Sequence, residues 1–167
     1  PHYLTERPEG SPVYHHQPGW ELRNGSYSGV PLLEEEGGIP DATAVGLIHG
    51  YYACVSYIDA QIGKLLDALE ASGEANNTVI VLWSDHGYHR EDHGMWCKHT
   101  NYEQAIRVPF MLIDPRYPAH LARRKSTAPV ELLDLFATLY HSRGNHAPNG
   151  IARTRLVPIL SIENTHS

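Results

Sequence analysis

The residues between 84 and 103 hold most of the chemistry this chain offers. An apolar run, Thr78-Val79-Ile80-Val81-Leu82-Trp83, stops abruptly at Ser84-Asp85-His86-Gly87. An Asp carboxylate and a His ring are both metal ligands, and adjacent placement at a strand end aims them at one point. A hard ion such as Ca2+ or Mg2+ favours the carboxylate oxygen; a softer ion such as Zn2+ makes more use of the imidazole. The same dipeptide also has a plainer reading, a strand-end turn in which Asp85 caps the next backbone N–H groups. The chain has 12 His, and His86, His89, His93 and His99 crowd into this one stretch. Its 2 Cys, Cys54 and Cys97, are too few for a disulfide framework or a Cys-rich zinc site. Cys54 reads as a small packed residue in a helix and Cys97 as a loop residue.

These residues need a scaffold. Asp41 is a good N-cap, and the spacing predicts a helix over 42–71. Val45, Ile48, Tyr52, Val55, Ile58, Ile62, Leu65, Leu66 and Leu69 recur at steps of mostly three and four, one helical face, and Ser72-Gly73 supplies the stop. Residues 78–83 are apolar on both faces, as a buried parallel strand is. A helix, a turn and then such a strand make half of a βαβ unit, so the fold class is α/β. In open α/β sheets, ligands bind beyond the carboxyl ends of the strands, which is where Asp85 and His86 fall. Residues 87–104 read as a loop. Val108 to Ile113 reads as a second strand with Pro109 near its start, and Pro129 to about His141 as a second helix. Residues 1–40 are dense in Pro and Gly and read as a long loop over the body. The tail from Ser142 is irregular.

Composition narrows the function classes. The chain has 167 residues, with 13 Lys+Arg against 19 Asp+Glu, a formal charge of −6. That is one domain or a piece of one, and it lacks the basic footprint of a nucleic-acid binder. No apolar run approaches the roughly 20 residues of a membrane helix. Hydrophobic content of 41% suits a packed core rather than a disordered chain. The first residue is Pro1 rather than Met, which points to a fragment.

Several motifs stand in order: Ser84-Asp85-His86-Gly87, His93-Gly94-Met95-Trp96, Lys98 two residues after Trp96, Asn101-Tyr102-Glu103, and Arg107-Val108-Pro109. Together they resemble the C-terminal half of the catalytic domain of the sulfatases, in the alkaline-phosphatase superfamily, and most of all the iduronate-2-sulfatase-like branch. Glu21-Leu22-Arg23, the helix segment from Gly50 to Gly63 and the segment from Ala128 to Leu139 extend the resemblance over roughly residues 20–140. It implies a mixed, mostly parallel sheet flanked by helices, incomplete in this chain, with 1–141 as the C-terminal portion of the domain and 142–167 as a divergent or truncated tail.

The resemblance also implies roles. Asp85 and His86 are expected to hold a divalent cation, Ca2+ ahead of Mg2+. Lys98 is expected to contact the sulfate, whose charge a cation and an ammonium stabilise as it develops on hydrolysis. His99 and His93 either line the substrate pocket or order the loop. Tyr88 either faces the substrate or packs under the loop, and Trp96 is expected to anchor it. The family nucleophile is a formylglycine made from Cys or Ser in [Cys/Ser]-x-Pro-x-Arg. Neither Cys54 nor Cys97 nor any Ser here fits that pattern, so it is expected in a missing N-terminal part that is this chain's structural partner. The implied function is a fragment of a metal-dependent sulfatase acting on sulfated sugars, inactive alone, with no nucleic-acid partner and no membrane span. Relatives are commonly secreted, periplasmic or lysosomal. Two other readings stand beside it: a phosphoester or phosphonate hydrolase of the same superfamily, and a non-catalytic binding subunit. The branch's usual Leu-Gly-Glu-His-Gly turn is Arg90-Glu91-Asp92-His93-Gly94 here.

Overall fold

A computed structural model describes residues 9–12, 19–32, 38–117 and 125–142. The expected tail beyond Ser142 and parts of the first 40 residues lie outside the described residues. The chain divides into two units, Pro1–Ile113 and Asp114–Ser167.

In the first unit, α1 runs Asp41–Ala71, close to the predicted span. The expected cap does not hold. The Pro40 carbonyl accepts the Ala44 N–H at 2.9 Å, so Pro40 occupies the N-cap and Asp41 is the first helical residue. There its charge still suits the positive end of the helix dipole. The Ser72-Gly73 stop is as predicted: Gly73 takes φ 77° and the Ser72 N–H closes on Ala68. The apolar face of α1 is largely open, with Val45, Tyr52, Val55, Ile58 and Leu65 exposed and Ala44 buried. Cys54 is exposed, against expectation, on a side of α1 left open among the described residues; Cys97 is the buried thiol.

β1 (Ile80–Trp83) pairs antiparallel with β4 (Phe110–Ile113), in a register joining Ile80 to Ile113 and Trp83 to Phe110. The sequence pattern reads 78–83 as a buried parallel strand. The structure gives a shorter, half-exposed one, because the connection from 84 to 109 reverses direction instead of crossing over a sheet face. That connection is more ordered than the expected loop. β2 (His89–Arg90) and β3 (Trp96–Cys97) form a small antiparallel hairpin, and α2 (Glu103–Ile106) follows. Trp96 is buried as expected, in a core with Leu22, Val30, Ile39, Ala44 and Cys97. The Arg90 guanidinium lies 5.2 Å from the ring centroids of both Tyr51 and Tyr52, clamping the hairpin to α1.

The turn between β2 and β3 carries a strained residue. Glu91 has φ 79°. A side chain in that region costs about 1 kcal/mol or more. Glu91→Gly is therefore expected to stabilise the chain by about 1 kcal/mol in urea unfolding.

In the second unit, α3 spans Leu132–Ser142 rather than starting near Pro129. The Asp134 carboxylate accepts the Glu131 N–H at 3.0 Å, half of a capping box that fixes the start three residues later. Leu135, Ala137 and Thr138 make its buried face.

Candidate metal and anion site

The carboxyl end of β1 holds the first pair. The Ser84 hydroxyl donates to the His86 carbonyl at 2.7 Å, which curls the chain. Asp85 Oδ1 accepts the His86 N–H at 3.0 Å, so the plain turn-capping reading is realised by one carboxylate oxygen. The other, Oδ2, lies 3.5 Å from His86 Nε2. His86 Nδ1 lies 2.8 Å from the Gly87 carbonyl, which only accepts, so Nδ1 carries the proton. That leaves Nε2 beside Asp85 Oδ2, with the ring fixed through Nδ1 by a second hydrogen bond, as metal-bound imidazoles require. The Asp85 side chain is 81% exposed and open to a further ligand. This donor set fits a divalent cation. Among the described residues no group of three or more His, Cys, Asp or Glu converges on one cation, so the chain offers two donors there.

Gly87 is required by packing. Its N–H donates to the Ala105 carbonyl at 2.7 Å, and a Cβ would fall onto the Gln104 carbonyl oxygen and 2.9 Å from its carbon. The strand end thus lies flush against α2.

The hairpin delivers the second group. The β2–β3 register ends at the pair His89–Cys97, immediately before Lys98. Cys97 adopts φ 69°, an uncommon conformation for a side chain, and the chain turns there into Lys98 and His99. Lys98 Nζ lies 3.5 Å from Glu21 Oε1, and His99 Nε2 lies 3.4 Å from the same oxygen. Burial acts to raise the Glu21 carboxyl, but the Lys98 charge and the His99 hydrogen bond outweigh it and hold it below its ordinary value of 4.5. Tyr88 donates its hydroxyl to Cys97 Sγ at 3.5 Å and sits 5.5 Å from the Tyr51 ring, a packing position. Burial, with the Cys97 thiol beside it, pushes its phenol well up. His93 takes φ 58° and lies ring to ring with Tyr102 at 5.7 Å, shaping the turn.

So the structure brings Asp85 to His86, and Lys98 to His99. It gives Tyr88 and His93 loop-building contacts. Glu21 joins Lys98 and His99 although sequence reasoning assigned it no role. Its only signal there is membership of the Glu21-Leu22-Arg23 segment, remote from Lys98 along the chain.

His89 anchors the hairpin. It is 0% exposed, with Nε2 2.7 Å from the Thr100 hydroxyl and Nδ1 without a partner among the described residues. Burial depresses its pKa below the ordinary 6.5, against the pull of Asp92 and with that of His93. The folded chain therefore favours the neutral ring. As pH falls below 6.5 the unfolded chain binds a proton that the folded one resists, until the folded-state pKa is reached. His89 is thus expected to remove up to about 1.4 kcal/mol of stability per pH unit in that window. Urea midpoints of the wild type and of His89→Gln, compared through it, should diverge.

The family model described as Sulfatase matches residues 2–144. The iduronate 2-sulfatase of Homo sapiens is 31% identical over 166 residues, covering 86% of this chain and 30% of that protein. A structure solved in complex with its substrate D-glucosamine-2-N,6-O-disulfate aligns with TM-score 0.59 and 34% identity, over 64% of this chain and 21% of that one. A phosphonate monoester hydrolase from Silicibacter pomeroyi aligns over 98% of this chain and 33% of that one, with TM-score 0.73 and 24% identity, a likeness of fold. The chain spans about a fifth to a third of the length of the proteins it matches.

Proposed function

The chain belongs to the sulfatase family and carries part of its α/β, alkaline-phosphatase-like fold, and from that premise we propose that it supplies the metal-binding and anion-binding side of a sulfate-ester hydrolysis site. The observation that carries this reading is the Asp85–His86 pair, with Oδ2 and Nε2 3.5 Å apart at the carboxyl end of β1. Asp85 and His86 would hold a divalent cation, Ca2+ by preference, which when bound stabilises negative charge developing on the ester.

Lys98 presents an ammonium to the non-bridging sulfate oxygens. Its charge favours the bound ester and gains weight as charge builds on the leaving alcohol. His99 sets a second donor beside it. Tyr88 and His93 keep the loop that carries them in shape and bound the pocket. The nucleophile, a formylglycine in the reading adopted here, is supplied by a part of the domain outside this sequence, so the chain alone is expected not to turn over. Sulfated sugars are the proposed substrates, supported by the relative whose printed substrate is a sulfated glucosamine. A phosphoester or phosphonate hydrolase is the second reading, favoured by the fold likeness to a phosphonate monoester hydrolase.

The test is a cation titration of the full chain, read by the ring resonances of His86. Ca2+ should move them in a saturable way while the ring of His49, exposed on α1, stays still. Equal movement of both, or of neither, would overturn the metal-site reading.

A further inference from the structure

We propose that Glu21 is a positioning residue that sets the charge preference of the Lys98–His99 pair, shifting it away from a doubly charged phosphate monoester and toward a singly charged sulfate ester. The inference rests on the reading of Lys98 as the sulfate contact and deepens it.

Glu21 is carried by a built turn. The Gly19 carbonyl accepts both the Leu22 and the Arg23 N–H at 2.9 Å. Leu22 and Arg23 are buried, and the Arg23 guanidinium donates to the carbonyls of Pro31 at 3.1 Å and Leu32 at 2.8 Å. Gly19 has φ 91°, and a Cβ there would sit 2.7 Å from Trp96 Cβ, so the turn is seated directly on β3. That seating delivers one oxygen, Oε1, to both Lys98 and His99 at 3.5 and 3.4 Å. All three side chains remain partly open, at 33%, 32% and 55% exposure, so an incoming anion meets them together.

The charge arithmetic gives the consequence. The Glu21 carboxylate offsets the Lys98 ammonium, leaving a cluster close to neutral. A sulfate monoester brings one negative charge. A phosphate monoester above its second pKa of about 6 brings two, and the extra one is attracted by Lys98 and repelled by Glu21. One unit of like charge a few ångströms away at a partly open site is worth about tenfold in affinity, so Glu21 removes about tenfold of the advantage Lys98 alone would give the doubly charged ester.

The experiment is competitive acylation of the full chain, with Lys98 modification read by mass spectrometry and Lys64 as internal reference. Methyl sulfate and methyl phosphate are the protecting probes, at about pH 8, where the phosphate is doubly charged. The readout is the ratio of the methyl phosphate to the methyl sulfate concentration that half-protects Lys98. In Glu21→Gln that ratio should fall by about tenfold from the wild-type value, and in Glu21→Asp, which keeps the charge, it should stay close to it. A merely structural Glu21 would weaken protection by both esters equally, so a preference unchanged within about twofold in Glu21→Gln overturns the proposal. Protection by neither ester in the wild type overturns the anion-site reading itself, and this inference with it.

Discussion

Replacing Asp85 with asparagine is expected to lower the affinity of the chain for Ca2+ by about a hundredfold. Asparagine is nearly isosteric and keeps a carbonyl oxygen to accept the His86 N–H, now held at 3.0 Å by Asp85 Oδ1. The turn should therefore survive. What disappears is the formal charge on a carboxylate that is 81% exposed and lies 3.5 Å from His86 Nε2. A hard cation bound by few protein ligands depends heavily on that charge. His86→Ala should cost less for Ca2+ and more for Zn2+, because imidazole is the better ligand for the softer ion. Calorimetric titration of both variants with both metals checks the pattern. An Asp85→Asn chain that binds Ca2+ as tightly as the wild type would rule out the carboxylate as a ligand.

Gly87→Ala is expected to be the most destabilising single change in the site, at about 3 kcal/mol or more. The methyl group would meet backbone, the Gln104 carbonyl, rather than a side chain that can swing away. Relief requires α2 to withdraw, which breaks the 2.7 Å hydrogen bond from Gly87 to Ala105. The motif glycine is thus explained by close approach and not by a left-handed turn, since it is not among the glycines with positive φ. Urea unfolding followed by the fluorescence of the tryptophans, with buried Trp96 the expected main reporter, should show the loss as a lower midpoint. An unchanged midpoint would show that α2 yields freely.

Much of the scaffold was legible because it is local. The steps of three and four from Val45 to Leu69 specify a helix whatever packs on it, and α1 spans Asp41–Ala71 accordingly. Its cap was misread because Asp41 competes with a proline whose carbonyl already closes the first turn. The strand at 80–83 was legible from its apolar run, but its partner and direction were not. Antiparallel pairing with 110–113 depends on how the intervening 26 residues fold back, and no local pattern encodes that.

The same division runs through the site. Asp85 and His86 are adjacent, so the sequence alone was enough to nominate them as a pair, and the strand end before them fixed their place. Lys98 was nominated by its spacing from Trp96 within the resemblance. Which acid stands beside Lys98, which histidine is sealed in and which side chain a glycine must make room for were settled by tertiary contacts. Glu21 reaches Lys98 only because its turn seats on Trp96, and His89 is 0% exposed only because the hairpin closes over it. Sequence by itself determined the helix, the strand and the adjacency of Asp85 and His86, since these follow from neighbours along the chain. The tertiary structure alone decided the charge partner of Lys98 and the roles of the remaining histidines, because those depend on groups brought together across long stretches of backbone.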